Sequence, residues 1–332
     1  MRAIVVGPLA AYSIADVAHG WVDGLRGCGV DTAYFDLSAQ LGYFRVAEVN
    51  GQKMTEEQAK RAVSLNLLGE CYALQPDVVF IVTGHDVDWP MVSRLRCKTV
   101  LILTECPYEL EGQAHAAAAI DPDLILVNDP VGAEVYEQFA PTFYVPHAYR
   151  PQVHHVDGRR RDIDCIFVGT GFPNRIEWLS RADWTGIDLR LGGLWTVDDD
   201  SPLAPFVMRS SDGDCIDNAL TADLYRSSLC GFNVYRTDSY GEHSHADGWA
   251  VGPREVELAA CGVWFARDAR GESDELFPML PSFTSPEELA DQVRWALSHP
   301  AERDAAAAAA RAAVADRTFV NNAGRALARL GF

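Results

Sequence analysis

A chain of 332 residues is long enough for about two domains, and its 48% hydrophobic and 23% charged residues exclude a disordered or fibrous protein. The 28 basic residues against 47 acidic ones give a net charge of −19, a field that repels phosphate backbones and anionic lipid heads. The charge therefore argues against a general nucleic-acid binder or membrane-surface binder.

The eight cysteines form no C-x-x-C pair, and none has a histidine at zinc-finger spacing. We therefore expect mostly buried free thiols and a reducing, cytoplasmic setting. The apolar run Ala3–Val6 is too short for a signal peptide, and no stretch approaches the roughly 18 apolar residues of a membrane span.

The first half of the chain contains five short apolar runs. Because they are rich in branched aliphatic residues without alternation, they predict strands buried on both faces of a parallel sheet. They are Arg2–Val6, Thr32–Leu37, Asp77–Val82, Thr99–Thr104 and Asp123–Asn128. Between them, Ile14–Leu25 has apolar residues at helical spacing, and Thr55–Tyr72 opens with a candidate capping box that ends at Gln58. This alternation predicts an α/β fold.

A second strand series follows a proline-rich, basic stretch at residues 141–162. It comprises Asp164–Val168, Ile187–Leu191, Leu229–Val234 and Gly262–Ala266. The C-terminal region is helical, with a Ser285 cap followed by a proline. We therefore predict two Rossmann-like domains, residues 1–155 and 156–332, with the last helix a candidate to cross back to the first domain.

Candidate functional residues follow the strands directly, because open parallel sheets bind ligands beyond the carboxyl ends of their strands. In the first half, His85 is placed to act as acid, base or hydrogen-bond donor, and Glu105 to bind a substrate hydroxyl. The simpler interpretations are a surface-loop histidine and an acid at a helix start.

In the second half, the small residues Gly169, Thr170 and Gly171 follow a strand and would let backbone N–H groups approach a phosphate. Arg175, in the next helical turn, could reach the same anion. The alternative is an ordinary helix start with a solvated arginine.

The segment Gly248–Gly262 is the most informative, because it predicts a helix from Pro253 to Ala260 that carries Arg254 and Glu257. A carboxylate at 257 could accept two ribose hydroxyls, and Arg254 could meet a diphosphate. From composition alone, an ordinary short helix is the simpler interpretation. The runs Asp198–Asp200 and His243–His245 provide no complete ligand set, so we expect no metal site.

Several stretches together resemble two-domain glycosyltransferases of the GT-B architecture, in particular the spore maturation protein CgeB-like group, which is related to family 4 glycosyltransferases. They are Thr99–Pro107, Pro122–Asp129, Tyr144–Pro151, Asp164–Thr170, Leu189–Trp195, Leu224–Asn233 and Arg254–Gly262. The resemblance implies two Rossmann-like domains whose parallel sheets face a central cleft. It also implies transfer of a sugar from a nucleotide-sugar donor, without a metal, without a further cofactor and with retained anomeric configuration.

The resemblance also implies roles for individual residues. Glu257 would bind the ribose, and the diphosphate would lie near Arg254, Arg175 and the turn at Gly169–Gly171. The remaining residues implied in nucleotide-sugar binding are Gly193, Trp195, Tyr225 and Asn233. The acceptor would bind the first domain near His85 and Glu105.

One position departs from the family 4 pattern. Trp249 stands eight residues before Glu257, where family 4 enzymes often have a first glutamate. Asp247 and His245 lie nearby in sequence, and His245 is the candidate catalytic side chain there. The departure leaves open a sugar-nucleotide epimerase or hydrolase of the same fold, or an inactive nucleotide-sugar-binding protein. The acceptor class (protein, small molecule, polysaccharide or modified nucleic acid) and the oligomeric state also stay open.

Overall fold

The computed structural model describes residues 1–9, 13–85, 97–208, 217–236 and 248–332. Contacts within the chain divide it into two compact units. The first comprises residues 1–146 together with 319–332, and the second comprises residues 147–318. The chain therefore leaves the first unit once and returns to it for its last helix.

The first unit is built on a six-stranded sheet in which every described strand pair is parallel. In sheet order its strands are β2 (Asp31–Phe35), β1 (Arg2–Val6), β5 (Val78–Val82), β6 (Lys98–Leu103), β7 (Leu124–Val127) and β8 (Thr142–Tyr144). A separate antiparallel pair is formed by β3 (Glu48–Val49) and β4 (Gln52–Lys53). All five residues of β5 are buried, as expected for a central strand that is covered on both faces.

Five helices lie in the described part of the first unit. They are α1 (Ser13–Gly27), α2 (Leu37–Val46), α3 (Glu56–Leu74), α4 (Leu110–Ile120) and α11 (Phe319–Leu330). Thr55 and Gln58 form the predicted capping box, which satisfies backbone N–H groups at the start of α3. Helix α11 packs against α1, where Gly20 has no Cβ and so leaves room for the Phe319 ring.

The second unit has a five-stranded sheet, also parallel throughout its described pairs. In sheet order its strands are β10 (Leu189–Gly192), β9 (Ile163–Val168), β11 (Ser228–Asn233), β12 (Trp264–Asp268) and β13 (Ser282–Phe283). Its helices are α5 (Pro173–Leu179), α6 (Asn218–Arg226), α7 (Pro253–Ala260), α8 (Gly271–Leu276), α9 (Pro286–Ser298) and α10 (Pro300–Ala313). The predicted Ser285 cap accepts a hydrogen bond from the Glu288 N–H at the start of α9.

The two parallel sheets confirm the predicted α/β class with two Rossmann-like domains. In the second unit, β9 lies between β10 and β11, so the residues after these three strands meet at one edge of the sheet. In the first unit, β5, β6 and β7 are adjacent in the same way. These two edges carry the candidate site residues.

Candidate functional site

Two loops dock closely at the carboxyl ends of β9 and β10. The Gly169 N–H donates to the Gly192 carbonyl at 2.9 Å, and the Gly171 N–H donates to the Leu194 carbonyl at 2.7 Å. Gly193 has φ +101°, and an added Cβ there would lie 2.6 Å from the Gly169 carbonyl oxygen. The N–H groups of Gly169 and Gly171 thus bind carbonyl oxygens of the neighbouring loop, which differs from the expectation that they approach a phosphate.

Trp195 is part of the core of the second unit, with an exposed fraction of 8%. Its Nε1 donates to the Gly192 carbonyl at 3.0 Å, and its ring meets the Phe167 ring edge-on at 5.8 Å. An added Cβ at Gly171 would overlap the indole. The structure therefore packs Trp195 against the loop at Gly171, and its contact with a nucleotide sugar stays what the family resemblance implies.

Arg175 connects the turn after β9 to the end of β11. Its guanidinium is buried, with Nε donating to the Val234 carbonyl at 3.0 Å and Nη1 to the Thr170 carbonyl at 2.9 Å. These hydrogen bonds compensate the cost of burying the charged group. In the structure, Arg175 thus shapes the turn that was expected to lie beside a diphosphate.

Arg254 lies in the first turn of α7 and is held against the end of β9. Its Nε donates to the Val168 carbonyl at 2.7 Å, and its Nη1 donates to Oδ1 of Asn233. The guanidinium lies over the Phe167 ring at 4.1 Å from the centroid, a cation–π contact. An added Cβ at Gly169 would overlap Nη2 of Arg254, so a larger residue at that position would displace the guanidinium.

Glu257 follows Arg254 by three residues on α7, which places both on the same helix face. Its side chain is 15% exposed, and Oε1 lies 3.9 Å from Nε2 of His154. Tyr225 is fully buried beside both residues: burial and the Glu257 charge raise the pKa of its hydroxyl, whereas hydrogen bonding to Arg254 opposes the shift. The structure therefore brings Arg254, Glu257 and Tyr225 together.

His154 is a part of this cluster that the sequence patterns did not identify. It is 1% exposed, its Nδ1 accepts from the Arg150 N–H at 3.3 Å, and its Nε2 lies 3.3 Å from Nδ2 of Asn218. In the sequence, His154 lies in the proline-rich, basic stretch at residues 141–162. Two adjacent histidines before an arginine run were the available signal, but the burial of His154 depends on its contacts with α6 and α7.

A second buried cluster surrounds Glu255, a residue that no sequence pattern singles out. Glu255 has no exposed surface and accepts hydrogen bonds from Asn233 Nδ2 at 2.6 Å, the Tyr235 hydroxyl at 2.6 Å and Ser273 Oγ at 2.5 Å. Burial raises the pKa of its carboxyl group, and the three donors act in the opposite direction. The cluster joins the ends of β11, α7 and α8.

At the corresponding edge of the first unit, His85 follows β5 and Glu105 follows β6. His85 is half-buried beside Gly112 at the start of α4, and the Glu105 N–H donates to Oε1 of Gln113 at 3.1 Å. Asn128, after β7, accepts from the Cys106 N–H and donates to the Thr104 carbonyl. The neighbouring strands thus bring His85 and Glu105 to one edge of this sheet.

Two further expectations concern His245 and a metal. His245 and the neighbouring Asp247 lie outside the described residues. Within the described ranges, no group of three or more histidine, cysteine, aspartate or glutamate side chains is arranged to hold a metal ion. Over the same ranges, no helix is long and apolar enough to span a membrane.

The chain is similar to known proteins in part of its sequence and in its fold. Residues 174–328 match the model of the glycosyl transferase-like family. No curated protein matches the chain by sequence. Among solved structures, sucrose-phosphate synthase from Thermosynechococcus elongatus is similar with a TM-score of 0.67 at 13% identity, covering 100% of this chain and 99% of that one.

Two other similar structures have comparable scores. Anabaena HepE in complex with UDP-glucose has a TM-score of 0.64 at 11% identity, with 99% of each chain covered. A putative UDP-N-acetylglucosamine 2-epimerase from Listeria monocytogenes has a TM-score of 0.59 at 13% identity, with 99% of this chain and 95% of that chain covered. At these identities the likeness shows the fold. Residues 174–328 thus match the glycosyl transferase-like family, within a chain that has the two-sheet GT-B fold.

Proposed function

We propose that the protein is a glycosyltransferase that moves a sugar from a nucleotide-sugar donor to an acceptor. The observation that carries the proposal is the pairing of Arg254 and Glu257 on one face of α7, at the sheet edge where α/β proteins bind ligands. Both residues lie inside the segment that matches the glycosyl transferase-like family. Their motif also supports membership of the CgeB-like group as part of the proposal.

The two side chains have complementary roles in this proposal. The Glu257 carboxylate accepts hydrogen bonds from two ribose hydroxyls, because an ionised carboxylate has two oxygens and no donor of its own. Arg254 donates to the diphosphate and stabilises the negative charge that grows on it as the glycosidic bond breaks. The N-terminus of α7 adds a partial positive charge next to Arg254.

These positive groups support transfer without a metal ion, and the family resemblance supports retention of the anomeric configuration. Both belong to the proposal, as does acceptor binding at the first unit beside His85 and Glu105. Either side chain has the chemistry to bind an acceptor hydroxyl. We propose a UDP-sugar as donor, because a structural neighbour at 11% identity is a complex with UDP-glucose.

Calorimetric titration with UDP and UDP-glucose tests the donor site. Wild type is expected to bind, and Glu257→Ala is expected to weaken binding by about tenfold or more, since a charged hydrogen bond contributes about 1.5–3 kcal/mol. Glu302→Ala is the matched control, because it removes an exposed carboxylate from α10. Equal affinities of wild type and Glu257→Ala would remove Glu257 from the site.

A second candidate function is epimerisation of a sugar nucleotide, because a putative 2-epimerase has the same fold. NMR of UDP-sugars incubated with the protein alone separates the two functions. An epimerase changes the sugar without an acceptor, whereas a transferase requires one. Binding without turnover over a broad acceptor panel would instead indicate an inactive nucleotide-sugar-binding protein.

A further inference from the structure

Asn233 lies at the end of β11 between two charged side chains, and its exposed fraction is 1%. Its Oδ1 accepts from Nη1 of Arg254, and its Nδ2 donates to Oε1 of Glu255 at 2.6 Å. A side chain this deeply buried, with both polar atoms engaged inside the protein, is poorly placed to bind a ligand directly. Its contacts instead indicate a role in holding the neighbouring charged side chains in place.

The orientation of the Asn233 amide is determined by its partners. A guanidinium only donates hydrogen bonds, so the oxygen of the amide must face Arg254. The nitrogen then faces Glu255, which is anchored independently by the Tyr235 hydroxyl and by Ser273 Oγ. The amide therefore has one favourable orientation, and that orientation holds an acceptor toward Arg254.

Arg254 is constrained on its other sides as well. The Val168 carbonyl accepts from its Nε, the Phe167 ring supports its face, and Gly169 leaves space for Nη2. The contacts with Val168 and Asn233 use two of the five N–H groups of the guanidinium. We propose that Asn233 is a positioning residue: it links Arg254 to the anchored side chain of Glu255 by hydrogen bonds and so orients the guanidinium toward the donor diphosphate.

This inference rests on the proposed function, and it replaces direct nucleotide-sugar binding by Asn233 with an indirect role. It predicts that loss of Asn233 acts through Arg254. A residue that merely stabilises the fold would lower the unfolding temperature without that dependence. A double-mutant cycle separates the two roles, because residues that act through each other have non-additive effects.

The experiment titrates UDP into wild type, Asn233→Ala, Arg254→Ala and the double variant, with thermal unfolding recorded for each. Asn233→Ala is expected to weaken UDP binding by about tenfold, and to have little further effect once Arg254 is alanine. Ser228→Ala is the matched control, since it removes a buried hydrogen bond to the Leu224 carbonyl at the other end of β11, without touching Glu255 or Arg254. It is expected to change UDP affinity by less than about threefold.

Asn233→Asp provides a second variant in case the alanine variant does not fold. The aspartate keeps an acceptor for Arg254, and a proton shared with Glu255 replaces the lost donor. It is therefore expected to restore most of the UDP affinity, whereas a purely structural role predicts that a second buried carboxyl group does more harm than alanine.

The outcomes distinguish this inference from the proposed function. If wild type binds UDP but the effects of Asn233→Ala and Arg254→Ala add fully, the positioning role is wrong and the donor site stands. The same holds if Asn233→Asp binds as weakly as Arg254→Ala. If wild type binds neither UDP nor UDP-glucose, the proposed donor site fails, and the role of Asn233 fails with it.

Discussion

Replacing Gly193 by alanine tests whether the docked loops after β9 and β10 build the candidate site. The residue has φ +101°, where a non-glycine residue is strained, and its new Cβ would lie 2.6 Å from the Gly169 carbonyl oxygen. A non-glycine residue with left-handed backbone costs about 1–2 kcal/mol, and overpacking costs about 1–3 kcal/mol. We therefore expect Gly193→Ala to lower the free energy of unfolding by about 2–5 kcal/mol. The second term arises because the close neighbour is a backbone atom that cannot rotate away.

Gly186→Ala is a matched control for the backbone strain alone. Gly186 has φ +80°, and an added Cβ would meet no atom within 4 Å. Urea denaturation of both variants separates the two costs, with Gly186→Ala expected to lose only about 1–2 kcal/mol. Because the Gly169 loop adjoins Arg254, Gly193→Ala is also expected to weaken UDP binding. A Gly193→Ala variant no less stable than Gly186→Ala would refute the close docking of the loops.

Three further predictions concern other parts of the chain. Gly20→Ala is expected to lower the free energy of unfolding by about 1–3 kcal/mol, because its Cβ would overlap the Phe319 ring. Urea denaturation measures this change, and an unchanged midpoint would contradict the packing of Phe319 on Gly20. His154→Ala is expected to weaken UDP binding less than Glu257→Ala does, since it removes only a neighbour of that carboxylate. If calorimetry showed that His154→Ala loses more UDP affinity than Glu257→Ala, His154 would contact the donor directly. Burial raises the pKa of Glu255 from 4.5, so wild type is expected to lose stability relative to Glu255→Gln as pH rises above 4.5. Thermal unfolding over a pH series measures this difference. If wild type instead gained stability relative to Glu255→Gln as pH rises, the pKa of Glu255 would be lowered in the folded state.

The sign of the Glu255 effect follows from proton linkage. A raised pKa means that the folded state holds the proton more tightly than the unfolded state does. The stabilisation is complete below the unfolded pKa and is lost as pH rises through the folded pKa. A glutamine has no such titration, so its stability serves as the reference.

Local patterns were sufficient for the longer strands and for several helix starts. An unbroken run such as Val78–Val82 predicts a buried strand because every side chain in it is apolar. The Thr55 and Ser285 caps were predictable because their partners lie three residues away. The short strand Thr142–Tyr144, by contrast, lies in the segment interpreted as a domain boundary.

The sequence by itself determined the α/β class, the two sheets and the helix that carries Arg254 and Glu257, because these features depend on residue types a few positions apart. Only the tertiary structure decided the partners of those side chains. Asn233 lies 21 residues before Arg254, and His154 lies far before Glu257, so no local spacing predicts their contact. The burial of Trp195 and Arg175 likewise appears only in the structure, because the sequence letter of an arginine or a tryptophan does not say whether the side chain is buried.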